Sequence, residues 1–99
     1  MPRYDVFAGR IEGNYLLDVQ SNLLDHFKTQ VVVPLLPVAA VPPPMRKLHP
    51  IFEINGRKLV MATHLIATIP ASELGESRLN LTKHHDDVVA ALDMLFQGF

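Results

Sequence analysis

Histidine is the residue type best suited to metal binding or proton transfer in this sequence, which contains five of them. His84 and His85 are adjacent, so on a helix their side chains would point roughly 100° apart. Two helical histidines that hold one zinc ion are instead spaced i, i+4. His49 and His64 are predicted on different strands, and the sequence does not show whether they meet. We therefore predict no metal site and expect packed or solvated histidines.

Other catalytic patterns are missing from the sequence. Asp86 and Asp87 could form a carboxylate pair, but their place at the start of a predicted helix favours interaction with the positive end of the helix dipole. The sequence contains no G-x-S-x-G motif, no phosphate-binding glycine loop and no dinucleotide fingerprint. Because it contains no cysteine, disulfides and cysteine-ligated zinc are excluded. We predict a protein that is not an enzyme and uses no cofactor.

Composition predicts a folded chain that does not bind nucleic acid by itself. The 99 residues are 48% hydrophobic and 19% charged, so we expect one domain that spans residues 1–99. The net charge of −1 argues against a general phosphate-binding surface, because nucleic-acid-binding modules usually carry a strong basic excess. Proteins or small molecules remain possible partners.

The most apolar stretch, residues 31–44, is too short to span a bilayer, which takes about 20 residues. It also contains five prolines, which would break a helix. The first residues lack the apolar segment of a signal peptide. We therefore expect no membrane association and a cytoplasmic location.

Local patterns near the start of the chain predict a β-hairpin followed by a turn. Residues 3–8 and 15–20 are short, partly alternating runs rich in Tyr, Val, Phe and Leu, as is typical of strands. Gly9 and the Gly13-Asn14 pair lie in the connection between them. Residues 21–25 predict a brief turn, with one helical turn that begins at Ser21.

The middle of the chain predicts more strands. Residues 29–36 predict a strand in which Pro34 lies at an edge or a bulge, because proline cannot donate to the ladder. Residues 42–44 predict a polyproline-like loop. Asn55-Gly56 predicts a hairpin with a type I′ turn, because both residues tolerate positive φ. Residues 58–69 would extend ~40 Å as one strand and are apolar on both faces. We predict that this strand bends and serves two sheets, as in a small barrel.

A helix is predicted at the end of the sequence. Thr82 is the expected N-cap, and Asp86 and Asp87 follow it in the first turn. Gly98 is expected to end the helix as the residue after its last turn. Helical spacing relates the apolar residues Val88, Ala91, Leu92, Leu95 and Phe99, with Val89 and Phe96 beside them. The pattern as a whole predicts a small, mostly antiparallel, barrel-like β domain with one C-terminal helix.

Two apolar groups have no obvious place in this core. Leu23 and Leu24 are adjacent in a short turn, where both side chains seldom point inward, so they are either core residues, ordinary surface or part of a binding patch. Phe96 and Phe99 crowd the last residues of the sequence, where they either dock on the domain or are presented to a partner.

Several segments, taken in order, resemble the CcdB family of toxins from bacterial toxin–antitoxin modules. They are YLLDVQSNLLD near the start, VVVPL in the middle, LHPIFEINGRKLVMATHLIATIP, and the helix that ends in MLFQGF. DVQS followed by two aliphatic residues and aspartate is fairly specific, and so is a final glycine followed by a hydrophobic residue. The resemblance covers essentially the whole chain.

The resemblance implies a mainly β (α+β) fold, a small SH3-like barrel of antiparallel strands with one C-terminal α-helix, related to MazF-type ribonuclease toxins. It implies a homodimer without catalytic residues that binds the A subunit of DNA gyrase and traps the covalent gyrase–DNA complex. It also implies a cognate CcdA-like antitoxin that neutralises the toxin. The two together would repress their own operon, so operator DNA would be contacted only through the antitoxin complex.

The resemblance also implies which residues bind gyrase: Leu23, Leu24, Asp93, Phe96, Gln97, Gly98 and Phe99. Gln97 is a departure, because the best-known toxin of the family has at this position a tryptophan that stacks on a gyrase arginine. Glutamine cannot make that cation–π contact, which is worth ~0.5–2 kcal/mol.

Two alternatives remain open at this point. One is an endoribonuclease toxin on the same barrel, which would need acid–base and basic residues gathered at a groove. The other is a non-toxic homologue that only binds an antitoxin, a possibility that the replacement at Gln97 keeps open.

Overall fold

The computed structural model describes residues 2–41 and 45–99, which form seven strands and one α-helix. The predicted polyproline-like loop at residues 42–44 lies outside the described residues. The strands are β1 (Asp5–Ala8), β2 (Tyr15–Asp18), β3 (Thr29–Pro37), β4 (Ile51–Ile54), β5 (Arg57–Met61), β6 (Ala67–Pro70) and β7 (Ser77–Asn80), and the helix is α1 (His85–Gln97).

The strands form one antiparallel sheet in the order β4-β5-β3-β2-β1-β7, with β6 paired to β3. The sheet curves into a half-barrel, and α1 packs on it. The core lies between them, where Val88 and Ala91 of the helix meet sheet residues such as Leu17, Val33 and Leu35. The predicted fold, a small SH3-like arrangement of antiparallel strands with a C-terminal helix, is confirmed.

The first predicted hairpin is confirmed, with strands shorter than expected. Val6 of β1 faces Leu17 of β2, and Gly9 N donates to Asn14 O across the connection at 2.8 Å. The predicted helical turn after β2 is a 3-10 turn over Asn22–Leu24 that begins, as expected, at Ser21.

The second hairpin is also confirmed. Asn55 and Gly56 have φ values of 53° and 78°, which is the positive φ at both central residues that a type I′ turn requires. Phe52 and Ile54 of β4 point to the core, and Leu59 of β5 faces Phe52 across the pair.

The prediction that Pro34 lies at an edge or a bulge is wrong. Strand β3 is central, because β2 pairs on one side and β5 and β6 pair on the other. Pro34 O accepts a hydrogen bond from Ala62 N at 2.8 Å, between the β5 and β6 segments. In a strand the N and the C=O of one residue face the same neighbour. The N–H group that proline lacks would therefore point between β5 and β6, where the neighbouring strand of β3 changes from one to the other.

The prediction of one bent strand over residues 58–69 is wrong as well. The segment consists of β5 and β6, separated by a 3-10 turn over Thr63–Leu65. Both strands pair with β3, at Leu35–Pro37 and Thr29–Val32 respectively, so they belong to the same sheet. The turn explains the apolar residues on both faces, because it interrupts the two-residue alternation of the strand.

Helix α1 begins later than predicted. Thr82 is not its N-cap, because a 3-10 turn over Thr82–His84 precedes the helix and His84 takes the N-cap position without a side-chain bond. The hydroxyl and the backbone N of Thr82 both donate to Asn80 Oδ1. Asp86 and Asp87 lie in the first turn as predicted. Within residues 2–41 and 45–99, no helix is long and apolar enough to cross a membrane.

Candidate functional site

The last turn of α1 presents apolar side chains to solvent. Val88 and Ala91 are fully buried against the sheet, and this packing fixes the direction of the helix. Gly98 ends the helix with φ 81°, and its N donates to Met94 O at 3.0 Å. The left-handed conformation at this position favours glycine. Beyond the buried turn, Phe96 and Phe99 are each 70% exposed, so this end is presented rather than docked on its own chain.

The polar residues of the same end are linked to one another. Gln97 Nε2 donates to Asp93 Oδ1 at 3.4 Å, which is the i, i+4 spacing that places two side chains on one helix face. Asp93 is half-buried and Gln97 is exposed. The predicted residues Asp93, Phe96, Gln97, Gly98 and Phe99 therefore lie together; we call residues 96–99 the tail.

The second predicted group lies in the turn after β2. Ser21 Oγ accepts from Leu23 N at 3.2 Å, and Ser21 O accepts from Leu24 N at 3.0 Å. Leu23 is 86% exposed and Leu24 is 41% exposed. Their interpretation as core residues is therefore wrong, and both lie on the surface.

Phe27 extends this apolar surface and was not singled out from the sequence. Its N donates to Leu24 O at 3.1 Å, its side chain is about half exposed, and its ring lies 4.4 Å from the ring of His26. The sequence signal that could have identified Phe27 is its place as a third large apolar residue shortly after Leu23 and Leu24. We call residues 21–27 the leucine turn.

The tail and the leucine turn come from two different parts of the chain. No hydrogen bond between described residues joins them. Large apolar side chains that are this exposed gain free energy when a partner covers them. The arrangement is suited to binding a protein surface at two places.

A buried polar layer lies beneath the leucine turn. Asp18 is fully buried, and its Oδ1 accepts from Gln20 N at 2.9 Å. Its Oδ2 and the Oε1 of Gln30 are buried without a hydrogen-bond partner among the described residues. Burial raises the pKa of Asp18 to about 6, an effect that the bond from Gln20 N opposes and the charges of Asp25 and Asp5 reinforce.

The side chains of His49 and His64 contact each other, which the sequence did not reveal. The prediction that they lie on two strands is wrong, because His49 precedes β4 and His64 lies in the turn between β5 and β6. Met45 N donates to His49 Nδ1 at 2.8 Å, and His49 Nε2 lies 2.8 Å from His64 Nδ1. Because Nδ1 of His49 accepts, the neutral ring carries its proton on Nε2 and donates it to His64. Burial, followed by the charge of His64, lowers the pKa of His49.

Among the described residues, no third metal-binding side chain joins the two histidines. In the part of the chain that the structure describes, no group of three or more His, Asp or Glu residues could hold a metal ion. The histidine pair instead fixes the segment before β4 to the turn between β5 and β6.

Tyr4 connects the start of α1 to the sheet. Its hydroxyl forms a 2.5 Å hydrogen bond with His85 Nδ1, and its O accepts from Leu81 N at 2.9 Å. Burial raises the pKa of Tyr4, while the charge of Arg3 opposes the shift. The helix that carries the tail is thus attached at its beginning to Tyr4, the residue before β1, and along its middle to the core.

An apolar groove lies on another face of the sheet. It has a volume of about 490 Å³, and an ion pair between Arg10 and Glu73 at 2.8 Å lies beside it. Its apolar lining includes Ile11, Leu16, Leu36, Leu65 and Ile69. The groove contains neither residues of the tail nor residues of the leucine turn.

Comparison with protein families gives a match to the family described as CcdB protein, over residues 3–98. The match covers nearly the whole chain, so the chain belongs to the CcdB family. At the level of the family, this is a group of toxins of toxin–antitoxin modules that poison DNA gyrase.

Proposed function

We propose that this member of the CcdB family is a toxin that binds the A subunit of DNA gyrase and traps the gyrase–DNA cleavage complex. The observation that carries the proposal is the tail, where Phe96 and Phe99 are each 70% exposed on a helix held firmly by its buried face. The protein would act by binding and would need no catalytic residue of its own.

In this proposal the tail is the main contact. Gln97, Gly98 and Phe99 would touch gyrase directly, and Asp93 and Phe96 would support them. A few central residues usually carry most of the energy of an interface, and exposed aromatic side chains are common among them. Gln97 would offer an amide for hydrogen bonding where the family's best-known member has an indole.

The leucine turn would supply a second contact through Leu23 and Leu24. Two small patches that bind one partner raise the overall affinity when both can engage at once. We further propose that the chain acts as a homodimer, so that each patch is present twice about a two-fold axis. Sedimentation at micromolar concentration should then give about twice the chain mass of 11.1 kDa.

A CcdA-like antitoxin would neutralise the toxin, and the complex of the two would repress their operon. A segment that folds on binding spreads its contacts over a wide surface. The apolar groove and the exposed patches offer such a surface, and the net charge of −1 is consistent with DNA contacts made through the antitoxin.

The deciding experiment incubates purified gyrase and supercoiled DNA with the protein and scores trapped cleavage complexes, with an RNA substrate as a parallel control. We expect trapped complexes and intact RNA. RNA cleavage that His49→Ala or His64→Ala abolishes would instead favour the endoribonuclease. Antitoxin binding without either activity would favour the non-toxic homologue. A Gln97→Trp variant in the same assay measures what the missing indole contributes.

A further inference from the structure

The leucine turn is held in place without any buried side chain of its own. Every residue from 21 to 29 is exposed, including Leu23 and Leu24. Apolar burial therefore cannot fix the position of the turn, as it does for the helix that carries the tail. Hydrogen bonds to the rest of the chain have to do so instead.

The side chain of Gln20 makes three hydrogen bonds from a buried position, one to the leucine turn and two to β3. Its Nε2 donates to Leu24 O at 3.1 Å and to Thr29 O at 3.2 Å, and its Oε1 accepts from Val31 N at 3.0 Å. The side chain is only 8% exposed. Two carbonyls and one N–H surround the carboxamide, so its orientation is determined and its hydrogen-bonding groups are matched.

These bonds connect the middle of the leucine turn to the strand that follows it. Leu24 is the last residue of the 3-10 turn, whereas Thr29 begins β3 and Val31 lies two residues further along it. Gln20 therefore connects the carbonyl of one exposed leucine directly to the strand in the centre of the sheet. Asp18 Oδ1 in turn accepts from Gln20 N, which holds the backbone of Gln20 in place.

We infer that Gln20 is a positioning residue, which sets the direction in which Leu23 and Leu24 are presented to the partner without touching that partner. The inference rests on the proposed gyrase binding by the leucine turn. It adds that the geometry of this contact depends on the buried carboxamide of Gln20, beside the bond that Arg3 N donates to Asn22 Oδ1 at 2.7 Å. A loosened turn would have to be ordered again on binding, and the free energy of that ordering would reduce the affinity.

The test replaces Gln20 by methionine, which keeps a long unbranched side chain and removes all three hydrogen bonds. We expect the protein concentration needed for half-maximal trapping of gyrase on DNA to rise about tenfold. Hydrogen exchange should accelerate at the amides of Leu24 and Val31. In α1 it should stay close to that of the parent protein. A residue of general structural importance would instead accelerate exchange throughout the fold.

Gln30→Met is the matched control, because Gln30 is an equally buried glutamine on β3 whose Oε1 has no partner among the described residues. It should leave trapping and the exchange of the leucine turn unchanged. Leu23→Ala tests the contact itself. If Leu23→Ala weakens trapping but Gln20→Met does not, the inference about Gln20 is wrong and the proposed contact stands.

Two further outcomes are decisive. If Leu23→Ala and Gln20→Met both trap gyrase like the parent protein, while exchange in the turn accelerates only in Gln20→Met, then Gln20 orders the turn but the turn is not the gyrase contact. If the two methionine variants weaken trapping equally, the effect is a general consequence of replacing a buried glutamine, and the positioning role is refuted.

Discussion

The tail and the leucine turn both expose apolar side chains, but they are attached to the fold by opposite means. The tail extends a helix whose buried residues, Val88 and Ala91, lie one or more turns before its tip. The leucine turn buries no side chain of its own and relies on polar groups beneath it. We therefore expect the tip of the tail to be separable from folding and the leucine turn to depend on the buried hydrogen bonds of Gln20 and Asp18.

The largest effect is expected from removal of the tail tip. A chain that ends at Phe96 lacks Gln97, Gly98 and Phe99, and Gln97 and Phe99 are exposed side chains. Few buried contacts are lost, so thermal unfolding should shift by only a few degrees. Trapping of gyrase on DNA should be abolished, because the proposed central contact is removed.

The controls for this truncation are its oligomeric state and its binding to the antitoxin, which should survive at least in part. A truncated chain that unfolds would mean that the tail belongs to the core. If the truncated chain folds and still traps gyrase, we would infer that the contact lies at the leucine turn.

A smaller loss is expected from Leu23→Ser. Leu23 is 86% exposed, so the free energy of unfolding should change by less than about 0.5 kcal/mol. If gyrase covers this side chain, its loss should weaken trapping about tenfold, which corresponds to ~1.4 kcal/mol. Dose–response curves for cleavage complexes measure the change.

Ile51→Ser is the matched control for Leu23→Ser, since Ile51 is a large apolar residue of β4 that is 49% exposed. It should trap gyrase like the parent protein. Equal weakening by both variants would show that general surface hydrophobicity, and not the leucine turn, drives binding.

The Asp18→Asn substitution tests the buried polar groups beneath the leucine turn by its effect on the free energy of unfolding. In the folded protein the pKa of Asp18 is raised to about 6 from the ordinary 3.8, so the folded state holds the proton more tightly than the unfolded chain. This contribution is fully present below pH 3.8 and is lost as the pH rises through about 6. Asparagine stays neutral and keeps an oxygen that can accept from Gln20 N.

The Asn variant should accordingly be more stable than the parent protein by about 1–3 kcal/mol near neutral pH, and the difference should shrink towards pH 4. Urea unfolding at several pH values measures it. If the two proteins keep a constant difference across this range, the carboxyl group does not titrate as described. Weaker trapping by the Asn variant would also implicate Asp18 in holding the turn.

The smallest functional effect is expected from His64→Ala. The substitution leaves the buried N–H of His49 without its acceptor, which should cost about 1 kcal/mol of stability. The lowered pKa of His49 has the opposite sign to Asp18, because stability is lost as the pH falls below the ordinary value of 6.5. Trapping of gyrase should be unchanged, since the histidine pair belongs to neither exposed patch.

Loss of trapping in a folded His64→Ala protein would contradict a function based on binding alone. It would also mean that a buried polar group, and not only the exposed apolar patches, is needed for trapping. Melting curves of the variant establish that it is folded before the gyrase assay is read.

Short-range patterns in the sequence were sufficient for much of the structure. The second hairpin was predicted from Asn55-Gly56, the start of the 3-10 turn from Ser21, and the end of α1 from Gly98. Each of these residues acts through its own φ or through a hydrogen bond to a near neighbour. The ordered motifs also indicated the family. They singled out the tail and the two leucines as candidate binding residues before the structure was known.

Other features depend on residues that are far apart in the chain. Pro34 is tolerated in a central strand only because two separate strands meet opposite it, and His49 meets His64 only because two turns pack together. Two hydrogen bonds of Gln20, which follows β2, reach Thr29 and Val31 of β3 in the same way. Strand register and loop packing decide such contacts, and both are properties of the assembled sheet. Tertiary structure alone therefore determined which polar residues were buried and which of them support the exposed patches.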